Sequence, residues 1–111
     1  MNGYGPLTRD RLGQLAEDGR KDLDFDALPV GTIVKVKTAN SEYLLRRDGG
    51  GTSVKGTERF PDWTRVCFNG STWGGSMIRI GHIGYGMHME IGRFDAATLT
   101  TSPVECWEIL P

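Results

Sequence analysis

This chain has little of what metal centres and disulfide scaffolds are made from. Its 111 residues include only two cysteines and two histidines, and neither C-x-x-C nor H-E-x-x-H occurs. A closed zinc site needs four ligands, so no metal is expected. Cys67 and Cys106 lie among apolar neighbours and are expected as small buried thiols. No stretch of about 18 apolar residues exists, which excludes a helical membrane span. The start, Met1-Asn2-Gly3-Tyr4-Gly5-Pro6, has no basic segment followed by an apolar core. No signal peptide is therefore expected, and the expected compartment is the cytosol, with both thiols reduced. Neither sign of charge dominates. Thirteen Lys and Arg face fourteen Asp and Glu, a net charge of −1, unlike a dedicated nucleic-acid binder. Catalytic spacings are missing too: G-x-S-x-G is absent, and no paired carboxylates share an evident cleft. The reading is non-enzymatic, with no catalytic residue and no cofactor.

Glycine, by contrast, is plentiful. There are 16, roughly twice the usual share of about 7%. Three Trp, three Tyr and four Phe argue against disorder, and the length suits one domain. Residues 1–28 read as an N-terminal helix followed by an extended lead-in. The helix is expected over 8–18, capped by Thr8, with Leu7 and Leu12 as a hydrophobic staple and a stripe of Leu12, Leu15 and Ala16. Such a short helix must dock on something. It is the expected route to a protein partner or to homo-oligomers.

Residues 29–111 read as one β domain. Short segments alternate apolar and polar residues: 32–38 (TIVKVKT), 41–47 (SEYLLRR), 52–56, 64–68 (TRVCF), 76–80 (SMIRI), 85–91 (YGMHMEI) and 104–109 (VECWEI). Eleven glycines between 49 and 92 punctuate them. The expected fold is all-β: a small antiparallel barrel or sandwich of six to seven short strands with a short N-terminal helix. The expected core is Val34, Val36, Tyr43, Leu45, Val54, Val66, Phe68, Ile78, Ile80, Met87, Met89, Cys106 and Ile109.

Three constellations could carry function. Gly70-Ser71-Thr72-Trp73-Gly74-Gly75-Ser76 is a glycine-rich loop whose backbone can approach a ligand closely. It lacks the spacing and the lysine of a phosphate loop. With His82, Tyr85 and His88 from the next glycine-rich stretch, Trp73, Gly74, Gly75 and Ser76 form the candidate ligand face. His88 and Glu90 share a strand face but lack further ligands. The third constellation is electrostatic. Between residues 35 and 79 lie eight basic groups and four acidic ones, interleaved with Tyr43, Phe60, Trp63, Phe68 and Trp73. Lys35, Lys37, Arg46, Arg47 and Arg79 would carry an alternative function, single-stranded nucleic-acid binding on a basic strand face.

The pattern Thr38-x-Asn40-Ser41-x-Tyr43-x-Leu45, Gly70-Ser71-Thr72-x-Gly74-Gly75-Ser76, Ile83-Gly84-x-Gly86-Met87-x-Met89-Glu90 and Thr101-Ser102-Pro103-Val104 resembles a group of small uncharacterised bacterial β-domain proteins. The resemblance covers roughly residues 30–110 and implies a single compact β domain, with no substrate attached. The leading expectation is a small β-barrel binding or interaction module. The alternatives are the nucleic-acid-binding barrel and a small hydrolase or metal-binding protein.

Overall fold

A computed structural model describes residues 21–74 and 77–111. The helix expected over 8–18 lies outside them. Val alternating with Lys makes a strand of β2 (Ile33–Thr38), Tyr43 and Leu45 give β3 (Glu42–Asp48) its buried face, and Gly50 (φ +156°) precedes β4 (Gly51–Lys55). The chain continues through β5 (Thr64–Thr72), β8 (His88–Gly92) and β9 (Leu99–Ile109). Each of these six strands pairs antiparallel with its sequence neighbours, and β9 returns to pair with β2. The result is a closed six-stranded up-and-down barrel, the barrel alternative of the expected fold.

Register places the apolar residues opposite one another inside. Val34 faces Leu45, Val36 faces Tyr43, and Leu45 faces Val54. Val66, Phe68, Met89, Ile91, Val104 and Trp107 complete the ring of buried side chains. Between β5 and β8 the chain makes two short strands, β6 (Ile78–Ile80) and β7 (His82–Ile83). β7 pairs with β1 (Leu23–Asp24), which leads into a single 3-10 turn over Phe25–Ala27. This small ribbon packs on the barrel core: Phe25 and Ile83 are fully buried, and Phe25 meets Phe68 edge-to-face at 5.3 Å. The extended lead-in expected to close residues 1–28 therefore contributes a core aromatic, Phe25.

Bulges explain where simple alternation misleads. Phe68 pairs with Ile91 but Gly70 pairs with Glu90, so Asn69 is an extra residue in β5. The inward face accordingly shifts from Val66 and Phe68 to Ser71. In β9, Lys37 pairs with Cys106 and Thr38 with Val104, which leaves Glu105 extra. A second shift lies between the partners of His88 and Glu90. Thr101, Val104 and Trp107 then point inward at a spacing of three.

Several core expectations are corrected on this basis. Cys106 is half-buried because the Glu105 bulge hands the inward position to Trp107, and Ile109 is only partly buried against the core. Cys67 is exposed, since Val66 and Phe68 on either side take the inward positions. Ile78 and Ile80 are exposed because β6 lies outside the barrel ring, flanking β5 only. The core gains Phe25, Phe60, Ile83, Ile91, Val104 and Trp107. The Trp107 indole N–H donates to Lys21 O at 2.7 Å, which ties the chain entering β1 to the last strand.

Candidate interaction surface

The length of β5 and the glycine at position 70 explain how β6 comes to stand beside the barrel. β5 is long enough to pair with β4 through Thr64–Val66 and then with β6 through Gly70–Thr72 on the same edge. Gly70, at φ +138°, sits at the crossover. A Cβ there would stand 2.1 Å from Arg79 O, so only glycine permits this approach.

Ladder alternation then fixes which backbone groups of β6 are used. Gly81 N–H donates to Asn69 O at 3.2 Å, so these two residues form a hydrogen-bonded pair. Alternation makes Ser71–Arg79 the next such pair, whereas Gly70–Ile80 and Thr72–Ile78 are non-hydrogen-bonded. The N–H and C=O groups of Ile78 and Ile80 therefore point away from β5. Among the described residues, no strand pairs with that outer edge.

Between residues 73 and 85 several large apolar side chains are open to solvent. Ile80 is 77% exposed, Met77 67%, Trp73 62%, Tyr85 45% and Ile78 42%. The other large apolar side chains this exposed among the described residues are Val30 and Phe94. Trp73 directly follows β5, and the Gly74 N–H donates to Thr72 Oγ1 at 3.2 Å. Tyr85 projects from a turn closed by Met87 N–H donating to Gly84 O at 3.1 Å, with Gly86 at φ +77°. The turn is held to β5 by Ser71 Oγ, which accepts from Gly84 N–H at 2.9 Å and donates to His82 O at 2.8 Å. A Cβ on Gly86 would lie 3.9 Å from the Trp73 ring, so Trp73 and this turn adjoin. On the opposite face of β6, Arg79 pairs with Asp22 at 3.1 Å.

The sequence-predicted ligand face is brought together in part. Trp73, Gly74 and Tyr85 belong to the exposed surface; Gly75 and Ser76 lie outside the described residues. The two histidines go elsewhere. His82 pairs across to β1, with Nε2 3.9 Å from Asp24 Oδ2 and Nδ1 buried without a hydrogen-bond partner among the described residues. His88 Nδ1 lies 2.7 Å from Thr101 O, and since a carbonyl only accepts, that nitrogen carries the proton. Glu90 accepts from Asn69 Nδ2 at 3.0 Å. Among the described residues, no group of three or more His, Cys, Asp and Glu could hold a metal ion. Met77, Ile78 and Ile80 are the contributors that alternation assigned elsewhere or passed over. Their signal is the brevity of I-R-I between two glycine-rich stretches.

The five basic residues of the alternative reading each have a partner. Lys35 lies 3.7 Å from Glu42, and Lys37 3.9 Å from Glu105. Arg46 bonds Asp48 at 2.8 Å and stacks on Trp63 at 4.4 Å. Arg47 Nε donates to Leu28 O at 3.2 Å, and Arg79 holds Asp22. Glu105 and Asp22 come from outside the basic window, which is why a window count overstated the local positive charge. Ser53 and Arg46 donate to Asp48, and these two hydrogen bonds, with Ser53 the larger cause, hold its carboxyl below the usual range. Asp48, Arg47 and Arg65 line a shallow cleft of about 500 Å³ shared with Val30 and Phe94, where both signs of charge are mixed.

No family model, no curated protein and no solved structure matches this chain. Among the described residues, no helix is long and apolar enough to cross a membrane.

Proposed function

We propose that this chain is a non-enzymatic β-barrel interaction module whose contact surface is formed by Trp73, Met77, Ile78, Ile80 and Tyr85. The observation that carries the reading is the concentration of large exposed apolar side chains, Trp73, Met77, Ile78, Ile80 and Tyr85, beside a strand edge that no described strand pairs with. Large exposed apolar side chains close together in the chain mark contact sites, and Trp and Tyr are enriched in them. The nucleic-acid reading draws less support, because each of its five cations already faces an acid or a carbonyl.

Site-specific photo-crosslinking in cells tests the module. A photoreactive residue in place of Trp73, Ile80 or Tyr85 is expected to give discrete adducts with a polypeptide. The same residue in place of the exposed Glu108 on β9 is expected to give none. Equal labelling from all four positions, or none from the hairpin positions, overturns the reading.

A further inference from the structure

We infer that the partner seated on this surface is a second copy of the same chain, joined by antiparallel pairing of β6 with β6. The inference rests on the contact-surface reading above and adds the identity of the occupant. The outer edge of β6 offers the N–H and C=O of Ile78 and Ile80, and only an extended chain satisfies such a row. Three features make this strand its own complement.

The first is register. A twofold axis through Arg79 sets Ile78 opposite Ile80 of the other copy. These become hydrogen-bonded pairs, because the outward groups belong to those two residues. The second is the side-chain pattern. Ile78 and Ile80 share one face of β6, and the axis matches β-branched against β-branched across the join. The exposed faces of both isoleucines are then covered, and Trp73 and Met77 flank the same hairpin. The third is charge. The axis brings the two Arg79 side chains together, which alone would be repulsive. Each already holds Asp22 at 3.1 Å, so the dyad gathers two cations and two carboxylates with no net charge. Such an interface is isologous and closes at two copies, because β5 already occupies the other edge of β6.

Sedimentation velocity of the full chain over a concentration series is the test. The wild type is expected to pass from monomer to dimer as concentration rises. Ile80→Lys places a charge on the join without touching the barrel core, and is expected to stay monomeric. Phe94→Lys, an equally exposed position outside the hairpin, is expected to dimerise like the wild type. Asp22→Asn leaves the two arginines unneutralised. It is expected to weaken dimerisation by about two- to fivefold at low salt, the scale of an exposed ion pair, and to recover as salt is added. Amide exchange of Ile78 and Ile80 is expected to slow with rising protein concentration, while that of Arg79, bonded to β5, does not change. A chain that stays monomeric at every concentration, or a dimer that survives Ile80→Lys, overturns the inference. Hairpin adducts to a different polypeptide from a chain that is monomeric when purified remove the self-pairing and leave the contact surface standing. A dimer broken by Ile80→Lys with no hairpin adducts in cells removes the contact surface as a cellular device.

Discussion

At the residue scale, two positions carry more than their size suggests. Gly70 lets Arg79 O approach to where a Cβ would stand, and the obstruction is backbone that cannot swing aside. Gly70→Ala is expected to cost about 1–3 kcal/mol in chemical denaturation. It should also speed exchange of the Arg79 amide, as β6 is pushed off β5. Asp48 is the second position. Its carboxyl is held below the usual range by hydrogen bonds from Ser53 and Arg46, so the ionised form favours the native state. That contribution is present above the unfolded pKa and is lost as pH falls through the folded one. Stability is expected to decline below about pH 4, and Asp48→Asn is expected to flatten that acid limb in denaturation curves across pH.

At the element scale, β9 shows how a strand can defy its own alternation. Two bulges in eleven residues turn a period of two into inward positions at Thr101, Val104 and Trp107. Thr101 Oγ1 accepts from Met89 N–H at 3.0 Å, supplying a partner that the disrupted ladder does not. Thr101→Val keeps the shape and removes that acceptor. It is expected to cost about 1–3 kcal/mol by thermal or chemical unfolding, the penalty of a buried unsatisfied donor. Alternation identified β2, β3 and β4 to within a residue or two, because these strands carry no bulge inside the runs that were read. It failed on Cys106 because one inserted residue exchanges the two faces, and nothing local in V-E-C-W-E-I announces the insertion. Gly70, Ser71 and Thr72, expected in a glycine-rich loop, instead continue β5, because pairing with β6 and β8 extends the strand past Asn69.

At the scale of the whole molecule, closure couples the ends of the chain. β9 pairs with β2, so the first and last barrel strands are neighbours, and Trp107 reaches back to Lys21. The 3-10 turn drives Phe25 into the same core. Phe25→Ala is expected to destabilise the entire barrel by about 3–5 kcal/mol in a single transition by thermal unfolding, not to release β1 alone. Two separate transitions would show the ribbon to be an independent appendage. The sequence singled out Trp73 and Tyr85 because they stand beside glycine-rich stretches, and the structure places both side chains in solvent. Their isoleucine neighbours were not singled out, since I-R-I on a core strand and on an outer flank spell the same residues.

Composition and period by themselves determined that this protein is all-β, rich in turns and of one-domain size. Those properties follow from local preferences: β-branched residues alternate with charged ones, and glycine supplies the bends. Tertiary structure alone decided which strands close the ring, where the bulges exchange inside for outside, and which acids quench the basic segment. It also decided that β6 is left with an apolar open edge. These outcomes depend on pairings between residues distant in the chain, such as Asp22 with Arg79 and Lys37 with Glu105. A window along the sequence does not contain both partners.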